Sequence, residues 1–273
     1  MTRDKYRKAW LRAHKSYERR AYGLLRRYFK SEAMKVPYAF LDKDNYKQTI
    51  NNSVNIGGLY NTYFDIYKLI GLVHGERIGK GINRDAKNFN NITFQSEYTR
   101  NLYNWVLENI GYRIVSVRAE FIKYIQQLVA DSFRDGLTPQ QLASQIHKLI
   151  GRRDFYRWQA LRIARTESGL AANRATLQAG RSSGFAMVKE WISIPDERTR
   201  PKPGTITKFN HRVMDGVTVD EDDYFNVQGE FIKYPNAAIT KTGAKSSGGN
   251  VINCRCTTAL LIKRDSNGRA IRR

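Results

Sequence analysis

Residues 174–193 read RATLQAGRSSGFAMVKEWIS, and the change of texture inside that stretch decides the fold. Before it, apolar and small residues recur at helical spacing. After it, short runs rich in β-branched and aromatic residues are broken by turn residues. Arg181, Ser182, Ser183 and Gly184 punctuate the two regimes. The expected class is α+β: a mainly helical N-terminal two-thirds, followed by a small α+β or β-rich C-terminal domain.

Reading backwards from this boundary, a long helix is expected over 154–179. Its inner stripe starts with Phe155, Trp158 and Leu161 and continues with Ala164, Ser168, Ala171 and Ala175, small enough for another helix to come close. Ahead of it, TPQQLASQIHKLIG (138–151) carries the strongest local signal in the chain. Thr138 is an N-cap, Pro139 sits at the first helical position, Gln141 completes a capping box and Gly151 stops the helix. Further helices are expected over 117–133 and over 96–110, the latter closed by Gly111. Residues 45–85 are helical but irregular, and Tyr46, Tyr60, Tyr63 and Tyr67 stand at helical spacing. Such aromatics read as core, with stacking on bases as the alternative. GERIGKG (75–81) fails the phosphate-loop pattern, because its glycines are one residue too close and Gly81 follows Lys80. It reads as a glycine-loosened helix end leading into a polar linker. In the first 30 residues Trp10, His14, Tyr17, Ala21, Leu24 and Tyr28 form a short heptad stripe.

Reading forwards, strands are expected in VKEWISI (188–194), HRVMDGVTV (211–219), YFNVQGEFI (224–232) and VINCRCTTALLI (251–262). Asp215-Gly216 is read as a two-residue hairpin turn. The domain ranges are a basic helical region at 1–112, then a domain at 113–262 with helices in 115–180 and a β-rich part in 185–262, then a basic tail at 263–273, read as disordered.

Charge narrows the partner. The chain has 47 Lys and Arg against 25 Asp and Glu, a formal charge of +22. The surplus is zoned, +17 over 1–190, −3 over 191–230 and +8 over 231–273. A zoned positive surplus points to a polyanion such as DNA, bound electrostatically and without sequence preference, or to an acidic protein surface. Arg12, Lys15, Arg19, Arg20, Arg26 and Arg27 on the first helix are the candidate contacts. No stretch has the run of about 20 apolar residues needed to span a bilayer.

Cys254 and Cys256 are the only cysteines. Their Cα atoms in an extended chain stand about 6.5–7 Å apart, near the limit for a disulfide. On a strand both sulfurs share one face, which suits a metal such as zinc, with His211 and Asp196 as the nearest further ligands. The other reading is two buried thiols acting as small apolar groups. The cofactor expectation is accordingly none, or zinc.

The order RIARTESGLAANRA (162–175), WISIPDERTRPKPGTITKFNHRVMDG (191–216), an acidic stretch ending in Phe225, and VINCRC (251–256) resembles the C-terminal domain of the Mu F-like minor head family of phage head morphogenesis proteins, over roughly 115–262. The resemblance implies a structural, non-enzymatic protein of a tailed-phage head. It would be made in the host cytoplasm, recruited with the portal protein and other head components to the portal vertex, lie near packaged DNA, and act in head assembly or genome ejection. It carries over, as a structural cluster, Arg165, Thr166, Glu167, Trp191, Asp196, Arg198, Thr199, Arg200, His211, Gly216, Cys254, Arg255 and Cys256. Relatives richer in cysteine place it where Arg200 and His211 stand here. The alternatives are a metal-dependent nuclease or transferase-type effector using Glu167, Asp196 and His211, or a free DNA-binding protein.

Overall fold

The computed structural model describes residues 2–86, 91–197, 199–201 and 209–273. Among the described residues seven α-helices come first: α1 (Arg3–Met34), α2 (Tyr46–Ser53), α3 (Ile56–Ala86), α4 (Asn91–Asn109), α5 (Gly111–Arg134), α6 (Pro139–Gly151) and α7 (Arg157–Ser182). The strands follow: β1 (Met187–Ile192), β2 (Thr218–Asp220), β3 (Phe225–Val227), β4 (Glu230–Ile232) and, after the single turn α8 (Gly248–Val251), β5 (Thr257–Ile262). The class is α+β with the boundary at 183–186. No helix among the described residues is long and apolar enough to cross a membrane.

The chain closes into two units, each built from segments distant in sequence. One gathers Tyr22–Asp65 and Val106–Leu161. Its core includes Leu25, Phe29, Ile50, Phe121, Ile125, Leu142 and Tyr156, with the Phe29 ring 4.7 Å from those of both Phe121 and Tyr156. Arg118 on α5 donates from Nε to Val54 O at 3.0 Å and also reaches Asn51 O, satisfying carbonyls that the end of α2 leaves open. The capping box at Thr138 is formed in both directions.

The other unit gathers Met1–Ala21, Ile66–Trp105 and Arg162–Arg273. Its sheet has the order β2-β1-β5, antiparallel throughout, with Trp191 opposite Thr258 and Val188 opposite Asp220. Because β1 lies in the middle and is covered on both faces, even Lys189 and Glu190 on it are buried. Lys189 compensates by donating from Nζ to Asp223 O at 2.6 Å and Lys233 O at 2.8 Å. Burial pushes its ammonium down to about 7. Along α7, Ser168, Ala171, Ala172, Asn173, Ala175 and Thr176 are buried, so its small stripe is the face on which the unit is built.

Several local expectations are corrected. GERIGKG lies inside α3, not at its end, because Gly75 is where Tyr98 crosses: a Cβ there would stand 2.0 Å from Tyr98 Cζ. Gly111 opens α5 rather than closing α4. Trp158 is 76% exposed, while Phe155 is buried ahead of the helix that starts at Arg157. On α1 the buried position is Leu25, not Leu24. The tight hairpin sits at Gln228-Gly229 between β3 and β4, where both residues have positive φ (50° and 93°). Gly216 does turn with φ +81°, but it leads into β2, which pairs with β1 rather than with 211–214. The tail folds back as well: Phe185 bridges to Arg272, Arg264 bridges to Ala270, and Ala270 packs on the cluster of Ile82, Phe185 and Met187.

Candidate functional site

Several of the residues singled out from the sequence gather around the segment 253–256, which precedes β5 instead of lying on it. Cys254 and Cys256 are therefore brought together by an irregular backbone, with Asn253 at φ 56°, and not by strand alternation. Two asparagines hold that backbone. Asn173 on α7 is fully buried and donates from Nδ2 to Cys256 O at 3.1 Å and Pro235 O at 3.0 Å. Its Oδ1 accepts from Thr258 N at 3.1 Å and Thr257 Oγ1 at 3.0 Å. Asn236, at φ 68°, donates from Nδ2 to Val251 O and Cys254 O, both at 3.0 Å. Gly169 leaves room for it: a Cβ on that residue would stand 3.0 Å from Asn236 Oδ1.

Arginine and carboxylate pairs fasten the surrounding loops. Arg255 pairs with Asp196, whose Oδ1 accepts from Thr199 N at 3.2 Å. Thr199 donates its hydroxyl to Ile194 O, and Arg200 donates from Nη2 to Ile252 O at 2.7 Å. From α1, Arg7 pairs with Asp215, Tyr6 donates to Thr258 O at 2.8 Å, and Trp10 Nε1 donates to Arg255 O at 2.8 Å. Thr166 on α7 accepts from Asn253 N at 3.1 Å, and Arg165 lies 3.8 Å from Glu18. Glu167 accepts from the Tyr67 hydroxyl at 2.7 Å. Trp191 stands edge-on to His211 at 5.5 Å, and Gly216 N donates to Trp191 O at 2.9 Å. Arg198 lies outside the described residues.

At the centre His211, Cys254 and Cys256 are all buried, and their ligand atoms lie within 4.8 Å of one another. His211 Nδ1 is 3.4 Å from Cys254 Sγ and 3.7 Å from Cys256 Sγ. The hydrogen bond from Cys254, reinforced by His211, pulls the Cys256 thiol well below its ordinary range, while that bond to Cys256, together with burial, pushes Cys254 up. Asp196 is not in this group, since Arg255 engages it. Each of the three residues that an enzymatic reading would combine has a partner of its own: Tyr67 for Glu167, Arg255 for Asp196 and the thiols for His211. A cavity of about 370 Å³ in this unit is walled by Arg3, Arg77, Lys80 and Arg84 together with β5 and contains none of the three.

Sequence reasoning missed Asn173, Ser193, Glu230, Asn236 and Asn250, all of which reach the thiol segment or His211 directly or through one partner. Asn173 alone carried a signal: a buried-side asparagine in an otherwise alanine-rich helical stripe asks for a backbone partner. Of the six candidate phosphate contacts on α1, Arg12, Lys15, Arg19, Arg20 and Arg27 are exposed and Arg26 is half-buried.

A family model described as phage Mu protein F like protein matches residues 123–259. A similar protein is the NAD(+)–arginine ADP-ribosyltransferase EFV of Enterococcus faecalis (strain ATCC 700802 / V583), 27% identical over 171 residues, 61% of this chain. The chain spans 31% of that relative's length. No solved structure matches.

Proposed function

From the premise that the chain belongs to the phage Mu protein F like family, a family of phage head morphogenesis, we propose that it is a non-enzymatic minor head protein of a tailed phage. It associates with the portal vertex and with packaged DNA, and acts in head assembly or genome ejection. The observation that carries the non-enzymatic part is the spending of Glu167, Asp196 and His211 on separate tertiary contacts. The Tyr67–Glu167 bond joins α3 to α7, and the Arg255–Asp196 pair ties the 194–200 loop to the segment entering β5, which are structural uses of a carboxylate. The docking part rests on charge. The exposed cations of α1 form a row on one helix whose inner face is occupied by Trp10, Tyr17 and Ala21, so they face outward for phosphates or an acidic surface.

The test is association. Mass spectrometry of purified heads should detect the chain, and it should be retained on immobilised portal protein. Absence from both would end the proposal. Binding to duplex DNA should weaken steeply with salt. Replacing Arg12, Lys15, Arg19 and Arg20 with glutamine should reduce the slope of that dependence by about one unit for each phosphate no longer neutralised.

A second reading, a transferase-type effector, is favoured by the name of the Enterococcus relative. The match covers less than a third of that protein, so this chain corresponds to a module of it, and the head-protein reading treats the shared 171 residues as that module's non-catalytic part. Incubation with NAD+ and arginine-rich acceptor proteins should release no nicotinamide. Turnover that is lost in Glu167→Gln would favour the effector instead.

A further inference from the structure

The three-residue group at the centre of the 253–256 segment is wired as a ligand set. His211 Nε2 lies 2.9 Å from Asn250 Oδ1, while Asn250 Nδ2 lies 2.8 Å from Glu230 Oε2. An ionised carboxylate only accepts, so the amide nitrogen must face Glu230 and the amide oxygen must face the imidazole. That oxygen in turn accepts the proton of Nε2, so in the neutral ring, the form that ligates a metal, Nδ1 is the nitrogen with the bare lone pair. Glu230 is itself held by Ser247, whose backbone N donates at 3.1 Å and whose hydroxyl also donates. The chain Ser247–Glu230–Asn250–His211 therefore fixes the tautomer and the ring orientation from outside, as outer partners do for metal-bound histidines.

The bare nitrogen faces two sulfurs at once. One lone pair can accept from only one S–H, so hydrogen bonding leaves the second sulfur to the other thiol and to Ser193 Oγ, 3.9 Å from Cys256 Sγ. A single cation among the three atoms satisfies all of them. The spacing agrees: with zinc bonds of about 2.3 Å to sulfur and about 2.05 Å to nitrogen, tetrahedral angles put S and N about 3.6 Å apart, between the 3.4 and 3.7 Å found here. Two thiolates also neutralise a divalent ion, so a buried site ends with no net charge.

We propose that Cys254 Sγ, Cys256 Sγ and His211 Nδ1 bind one thiophilic closed-shell divalent cation, zinc, as a structural clip that fastens the 209–217 turn to the segment entering β5. On binding, the remaining thiol protons leave to solvent and two metal–sulfur bonds form. Asp196 is not a ligand. The stretch 202–208, KPGTITK, contains no metal-ligating residue type, so a solvent oxygen completes the tetrahedron. The proposal is independent of the head assignment, because metal content is read on the purified chain alone.

The full chain, purified without chelator or affinity metal, should contain one zinc per chain by elemental mass spectrometry. Removal with a strong chelator should lower its melting temperature, and zinc should restore it. Cobalt reconstitution should give the intense visible bands of a tetrahedral ion together with thiolate charge transfer in the near ultraviolet. Cys254→Ser and Cys256→Ser should each lower zinc affinity at least about 100-fold, Asn250→Ala about 10–100-fold as for outer partners generally, and Asp196→Asn should leave the stoichiometry at one. The wild-type chain keeps the test decisive if a variant fails to fold. Less than about 0.1 zinc per chain after reconstitution, with a melting temperature indifferent to chelator, would overturn the proposal, as would loss of the metal in Asp196→Asn.

Discussion

Replacing Asn173 by alanine tests the structural argument most directly. This side chain is fully buried and joins α7 to two separate stretches of chain, at Pro235 and at Cys256–Thr258. Alanine removes every one of these bonds and offers no replacement. The carbonyls of Pro235 and Cys256 each lose a donor, and the Thr257 hydroxyl can rotate to another acceptor. Thr258 N, however, is left as an orphan amide in the interior. An orphaned buried group costs about 1–3 kcal/mol, and each of two further broken bonds about 1 kcal/mol, giving a loss of about 3–5 kcal/mol. That is a large share of the roughly 5–15 kcal/mol that holds a typical domain together. Urea unfolding of the full chain, followed by tryptophan fluorescence because Trp191 lies in the same unit, reads the loss as a shift in midpoint at unchanged slope. The exposed Asn267→Ala serves as a control and should move stability by less than about 0.5 kcal/mol. A loss below about 1 kcal/mol in Asn173→Ala would refute the claim that this asparagine organises the thiol segment.

Three further outcomes follow from named contacts. Burial lowers the Lys189 ammonium to about 7, whereas an unfolded lysine holds its proton to about 10.4. Between those values the unfolded chain binds the extra proton, so stability should rise with pH, by at most about 1.4 kcal/mol per unit. Lys189→Met should flatten that slope in denaturation series run from about pH 7 to about pH 9, and an unchanged slope would count against the lysine as its source. Gly75→Ala drives a methyl into Tyr98, whose hydroxyl also donates to Gly71 O; a loss of about 1–3 kcal/mol is expected, and an unaltered melting temperature would show that α4 yields freely. Thr138→Ala removes the capping box of α6 and should cost about 1 kcal/mol, measured by thermal unfolding, with Thr138→Ser restoring most of it.

The sequence by itself determined the elements whose cause is local. The helix at 139–151 starts where it does because Thr138, Pro139 and Gln141 satisfy its first amides without help from the rest of the chain. The boundary after Ser182 is legible because residue spacing changes period there, and the α+β class follows. The order of motifs from Arg165 to Cys256 marked the family, since it survives as a linear pattern. Tertiary structure decided whatever depends on neighbours distant in sequence. Gly75 looks like a helix breaker until Tyr98 is laid across it, and Asp215-Gly216 looks like a hairpin until β2 finds β1 instead. The tail 263–273 reads as unstructured until Ala270 meets Phe185 and Met187. The thiol segment shows the difference most clearly. A strand would have aligned Cys254 and Cys256 by alternation, but they meet because Asn173 and Asn236 bind the carbonyls of both cysteines, and His211 completes the group from 43 residues away in sequence. Side-chain amides that hold an irregular backbone leave no periodic trace, because their partners are peptide groups, which every residue possesses.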